Sequence, residues 1–262
     1  ASYTFGDSVN GTLTVNKKAV TLGTADATKA YDGTALTKAD GTTQSGFVSG
    51  QGVTVTATGT QTAVGSSENT MTYAANEGTN LANYTVTEDP GTLTVTASTV
   101  AITVTANSAS KTYDGTALTK DGVTVTGLPA GFTYEATVSG SQTAAGTSAN
   151  QVATFAILDA SGTDVTSSFS NVTKVDGTLT VNKRAVTLTS ATDSKVYDGT
   201  ALANNNVTVT GDGWATGEGA SYDVTGTQTV AGTSDNSFTY TANEGTDLAN
   251  YTVTTVLGKL TV

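Results

Sequence analysis

The chain has 262 residues, of which 11 are basic and 22 acidic, giving a net charge of -11, and it contains neither Cys nor His. Charged residues are only 13% of it, so the acidity reflects a scarcity of Lys and Arg, which argues against nucleic acid as a partner because phosphate binding draws on clustered cations. Without His and Cys the commonest general base, the commonest metal ligands and the thiol nucleophile are missing together, and a non-catalytic protein is expected.

In chain order, residues 1–15 end on "GTLTV" and read as the closing strands of a truncated preceding repeat. Three repeats follow, over 16–96, 97–182 and 183–262, the middle one divergent. Each opens with an apolar-Thr alternation ("KAVTL", "AITVT", "RAVTL") and runs into an octapeptide, "KAYDGTAL" from Lys29, "KTYDGTAL" from Lys111 and "KVYDGTAL" from Lys195. Next come alternating "VTVTAT" or "VTVTG" segments, then "GTQTAVGSSEN", "GSQTAAGTSAN" and "GTQTVAGTSDN". "TYAANEGTNLANYTV" and "TYTANEGTDLANYTV" match in the outer repeats, and every repeat closes on "GTLTV" or "GKLTV". Strict period-2 alternation predicts strands with one buried and one hydroxyl-rich face, and Gly-containing turns between them predict an all-β sandwich. The segment "GTDVTSSF" has room for one helical turn, and no amphipathic helix is read. The junctions "LTVNKKAVTL" and "LTVNKRAVTL" lack a Gly/Ser spacer, so a stiff, extended rod of roughly 100 Å is expected from the strand rise.

The octapeptide Tyr residues, Tyr31, Tyr113 and Tyr197, recur at a spacing that suits a complete small domain. Asp32-Gly33, Asp114-Gly115 and Asp198-Gly199 are turn signals; the Tyr before them and Leu36, Leu118 and Leu202 after them read as core anchors. The Lys two residues ahead of each Tyr is expected to lay its stem along the sheet with its ammonium in water. A second reading of the same residues resembles the Lys–Asn cross-link of some bacterial Ig-like stalk domains. It pairs Lys29 with Asn69, Lys111 with Asn150 and Lys195 with Asn236, the turn Asp acting as acid/base helper. An ester at Gln61, Gln142 or Gln228 is weaker still, since domains of that kind are expected to need a His.

The set "YDGTAL", "NYTVT" and "GTLTV" followed by "KRAVT" resembles the YDG-type repeat domains, related to MBG domains, of very large bacterial surface proteins, over essentially the whole chain. The resemblance implies tandem Ig-like antiparallel β-sandwich domains, with β-grasp-like repeats as the structural alternative, and no catalytic residue to carry over. Asp247, Ala249 and Tyr251 echo the spacing of a tyrosine corner.

The function expected is that of a stalk or filament region of an extracellular adhesin at a bacterial cell surface. Its partners are neighbouring repeats and other copies in a fibre. Host or matrix glycans, met through Trp214, form an alternative, as does a fibre assembled by donation of the N-terminal strands. No cofactor is expected; Ca²⁺ has weak candidates in "NEGTD" from Asn243 and "DASGTD" from Asp159. Sequons at Asn10, Asn83, Asn171, Asn206 and Asn250 arise readily from Thr alternation. Neither a signal peptide nor an apolar run near membrane length is read, so export and anchoring are expected to lie outside this chain.

Overall fold

The computed structural model describes residues 1–3, 6 and 10–262. It is all-β, as expected; among the described residues the only helical elements are the 3-10 turns Leu81–Asn83, Thr166–Ser168 and Leu248–Asn250. One of these falls within the "GTDVTSSF" segment. The chain forms two compact units. The first comprises Ala1–Val100 with Pro129–Thr133 and Leu158–Asn171; the second comprises Ala101–Leu128, Tyr134–Ile157 and Val172–Val262.

Within the first unit, Lys18–Gly23 is the centre of a three-stranded sheet, antiparallel to Thr43–Ser45 and parallel to Tyr84–Asp89. A second sheet is centred on Thr92–Thr96, parallel to Ala27–Ala30 and antiparallel to Gly65–Glu68, and Val53–Ala57 pairs with Met71–Ala75. The second unit holds the same pattern twice. Arg184–Ser190 lies between Val207–Gly211 and the parallel Tyr251–Val256, while Gly258–Thr261 lies between the parallel Asp193–Ser194 and Thr233–Asn236. Ile102–Ala106 lies between Val123–Thr126 and the parallel Val172–Val175, and Gly177–Asn182 between the parallel Ala109–Thr112 and Gly146–Leu158. The middle repeat departs in one respect: Gly146–Leu158 is a single long strand where the outer repeats have two short ones.

The expectation of purely antiparallel pairing is therefore corrected, because every three-stranded sheet contains a parallel pair. Alternation fixes which face a residue takes but not the direction of its neighbour. Parallel partners also leave no hairpin signature, since the crossover between them is long. Each central strand buries alternate residues: Val20 and Leu22, Ile102 and Val104, Val186 and Leu188 in one sheet, and Leu93, Val95, Leu179, Val181 and Leu260 in the other. Their β-branched or aliphatic side chains fill the interior while the intervening Thr face outward.

Of residues 1–15, read as closing strands of a preceding repeat, Thr4, Phe5, Asp7, Ser8 and Val9 lie outside the described residues. Gly11–Val15 belongs to no strand, and Leu13 and Val15 are exposed. In the three repeats the matching segment pairs with strands from earlier in its own repeat; among the described residues no strand pairs with Gly11–Val15.

Candidate functional site

The octapeptide folds as the same turn three times. Lys29 Nζ donates to Asp32 Oδ1 at 2.7 Å, to the Thr34 carbonyl at 2.6 Å and to Thr34 Oγ1 at 2.7 Å. Lys111 repeats these contacts with Asp114 and Thr116, and Lys195 makes the carboxylate and hydroxyl contacts with Asp198 Oδ1 and Thr200 Oγ1. The same Asp oxygen accepts from the Thr backbone N–H at 2.9 Å in every copy. Gly33, Gly115 and Gly199 have φ of 80°, 81° and 81°, a conformation that a side chain at this turn would strain. The ammonium is thus pinned by the turn and not simply solvated. Its hydrogen bond, then the Thr N–H and hydroxyl, hold each Asp well below the usual carboxylate range.

Asn69, Asn150 and Asn236 take other partners. Each is at most 1% exposed, and each donates its amide to two backbone carbonyls: Ala25 and Lys38, Asn107 and Lys120, Ala191 and Asn204. The expected Lys–Asn pairs are not brought together, since the lysines are spent on the turn and the asparagines on carbonyls. Against each Asn lies a glycine. A Cβ on Gly59, Gly140 or Gly226 would stand 2.5–2.9 Å from the Asn Cα, so only glycine admits this approach. Around Asn69 the hydroxyl of Thr24 bridges the Asn carbonyl (2.6 Å) and the Gly91 N–H (2.9 Å), and Ser190 does the same between Asn236 and Gly258. In the middle repeat the equivalent residue is the buried Ala106, which has no hydroxyl to give.

The tyrosines separate the copies. Tyr31 and Tyr113 are 7% and 6% exposed, whereas Tyr197 is 61% exposed. In the first unit Tyr31 packs edge-on to Phe169 (5.8 Å between centroids) and against Phe132 (6.0 Å), both from loops of the middle repeat. In the second unit Tyr113 packs edge-on to Tyr251 (5.5 Å), and its hydroxyl donates to Glu218 Oε1 at 2.6 Å. Tyr251 donates to Glu218 Oε2 at 2.7 Å and accepts from the Ala215 N–H. Arg184 reaches the Tyr113 carbonyl, and the Ala145 N–H donates to Asn250 Oδ1 at 2.8 Å. The carboxylate, then burial, push Tyr113 up to about 12; for Tyr251 burial comes first and the Glu218 hydrogen bond second, with the same result of about 12.

The socket that receives a turn is thus built from a buried aromatic at 84, 169 or 251 and a loop residue at 51, 132 or 218. The loops align through one shared backbone bond: Gln51 to Val48, Phe132 to Pro129 and Glu218 to Ala215. In the first repeat Tyr84 donates to Gln51 Oε1 at 2.5 Å and packs with its ring tilted against Phe47 at 4.9 Å between centroids. The pairs vary together: Tyr84 with Gln51, Tyr251 with Glu218, Phe169 with Phe132.

The tyrosine corner expected at Asp247 to Tyr251 is not formed. Asp247 caps its 3-10 turn through the Ala249 N–H, while Tyr251 reaches 36 residues back to Ala215. A local corner needs the hydroxyl to turn toward its own strand, and here Glu218 draws it into the socket.

Trp214 forms part of this socket. It is half-buried, edge-on to Tyr251 at 4.9 Å, and donates to the Tyr222 hydroxyl at 3.0 Å. Leu36 and Leu202 are buried and Leu118 half-buried, each bridged to Gln61, Gln228 or Gln142. Asp159 Oδ1 accepts from the Ser161 N–H and hydroxyl and the Thr163 N–H, and among the described residues no group of three or more carboxylates is placed to hold a metal. The sequon residue Asn250 is buried. No protein-family model and no curated protein matches the chain.

Proposed function

We propose that the chain is a non-catalytic, load-bearing repeat region, a stalk or filament segment, of a bacterial cell-surface adhesin or extracellular fibre of the YDG/MBG-type Ig-like class. The observation that carries this reading is the turn tyrosine of one repeat seated in a socket of the next. Tyr31 meets Phe132 and Phe169, and Tyr113 meets Tyr251 and Glu218. A spacer-free junction with a buried aromatic contact across it resists bending and extension, which is what a projecting segment needs and what an isolated ligand-binding bead does not. Parallel strand pairs at the start and end of each repeat supply ladders that a pulling force must break together.

Single-molecule force extension tests this. Three unfolding steps are expected, each lengthening the chain by at most about 270–300 Å for a unit of some 80 residues. One early step for the whole chain, or steps too weak to resolve, would remove the load-bearing reading.

A further inference from the structure

Asp–Gly bonds occur in the chain at Asp32, Asp40, Asp114, Asp121, Asp176, Asp198 and Asp212. Such a bond is chemically weak, because a glycine turns freely and puts no Cβ in the way when its nitrogen approaches the preceding carboxyl carbon. The fold treats these bonds unequally. In the three octapeptides one Asp oxygen takes three donors: the Lys ammonium at 2.6–2.8 Å, the Thr N–H at 2.9 Å and the Thr hydroxyl at 2.8 Å. Asp40 has one cation, Lys38 at 2.9 Å, and Asp212 accepts from the Ala185 N–H at 3.2 Å. Gly177, which follows Asp176, is buried and wedged against the Ala106 and Asn107 carbonyls, where a Cβ would stand 2.5 and 2.6 Å from their oxygens. Among the described residues nothing holds the Asp121 carboxylate, and both Asp121 and Gly122 are exposed.

We propose that Asp121–Gly122 is a self-modification site, where aspartate isomerises to isoaspartate through a cyclic imide, and that each Lys–Asp–Thr turn guards its own Asp–Gly bond against the same reaction. The Gly122 nitrogen bonds to Asp121 Cγ, and the carboxyl OH leaves with the amide proton as water. Water then adds back to the imide. When the bond between the former backbone carbonyl and the nitrogen breaks, the chain runs on through Cγ and the old carbonyl carbon becomes a pendant carboxylate. Water is the only reactant, lost in one step and regained in the next.

Cyclisation needs a carboxyl that is free to turn and to take up a proton, since the oxygen of a carboxylate leaves poorly. The Lys ammonium and the two Thr donors oppose both, fixing the group and favouring its charged form. At Asp121 the reaction would also reach the interior. It places extra backbone atoms between the Lys120 carbonyl, which holds the buried Asn150 at 2.7 Å, and the Gly122 carbonyl, which accepts from the Asn107 N–H at 3.1 Å. The middle repeat already lacks the hydroxyl that Thr24 and Ser190 supply beside this Asn, so it has the least to spare.

The inference goes beyond the load-bearing reading and requires neither an array nor a cell surface. Its test is peptide mapping of the intact chain after prolonged incubation in mildly acidic buffer, with fragmentation that distinguishes isoaspartate from aspartate. Isoaspartate is expected first at Asp121, less at Asp40, and least at Asp32, Asp114 and Asp198; in concentrated urea Asp121 and the octapeptide sites should convert alike. Lys111→Met should raise conversion at Asp114 about tenfold, the worth of one hydrogen bond to a charged group, with Asp121 unchanged as internal reference. Lys111→Arg, which keeps a cation, should raise it less. The ranking in the unsubstituted chain needs no variant to fold. Octapeptide sites converting as fast as Asp121 in the folded chain would overturn the proposal, as would an Asp114 indifferent to Lys111→Met. So would an Asp121 that stays intact while a short peptide of the same sequence converts. None of these results bears on the force-extension steps, so the two readings fail separately.

Discussion

At the scale of single residues, the most demanding position is the buried Asn of each repeat. Asn236 ties the Ala191 and Asn204 carbonyls together, and its Oδ1 has no protein partner, so the residue carries a desolvation cost along with two bonds. Asn236→Ala removes both donors and relieves the unpartnered oxygen; a net loss of about 2 kcal/mol is expected in urea unfolding. Asn236→Asp keeps the shape but sets a carboxylate against two carbonyls, so it should cost distinctly more. An Asp variant as stable as the Ala variant would show that the donors contribute little. Next to this Asn, the hydroxyl of Thr24 or Ser190 is replaced by Ala106 in the middle repeat. Ala106→Ser should therefore stabilise the middle repeat by about 1 kcal/mol, the net worth of one buried hydrogen bond. Slower amide exchange in Gly146–Leu158 and Gly177–Asn182 would report it, and faster exchange there would mean that the hydroxyl is overpacked.

At the scale of elements, the socket is a small set of loop and strand-end positions whose chemistry changes as a pair. Phe132 and Phe169 lie 5.2 Å apart, edge to face, where the outer repeats have a hydrogen-bonded Gln–Tyr or Glu–Tyr pair. Phe169→Tyr alone buries a hydroxyl without a partner and is expected to cost about 1–2 kcal/mol. Phe132→Gln alone buries an amide, and the double substitution restores the polar pair. A double-mutant cycle should show a favourable coupling of about 1 kcal/mol; strict additivity would mean that the two positions do not act as one element. The sequence carried part of this. Recurrence marked the turn and its Tyr, and alternation marked the strands and most of their buried faces. The socket loops were hidden, because "FVSGQ", "LPAGF" and "WATGE" share a backbone shape but almost no residues. The part played by the asparagines was hidden for a similar reason: the carbonyls that hold Asn69 are 44 and 31 residues distant in the chain, beyond any local pattern.

Across the whole molecule, acid and base act on different ends of one motif. Each turn Asp is held below its ordinary pKa, chiefly by its Lys, so the stability it contributes is present above about pH 4 and is lost as pH falls through the depressed value. Tyr113 and Tyr251 are raised to about 12, so the folded chain favours their neutral phenols; that contribution is complete below about pH 10 and is lost as pH rises toward 12. Between those limits both turn and socket hold. Of the ten tyrosines, Tyr113 and Tyr251 should ionise last in a tyrosinate absorbance titration, with Trp214 losing its near-ultraviolet dichroism over the same range. Glu218→Gln separates the causes. Tyr113 owes its shift first to the Glu218 carboxylate and should ionise markedly earlier, whereas Tyr251 owes it first to burial and should move less. Equal shifts of the two phenols would make the carboxylate the main influence on both. No shift in either would mean that burial alone keeps the seated tyrosine neutral, and the polar pairing of the socket would then be a matter of fit and not of charge.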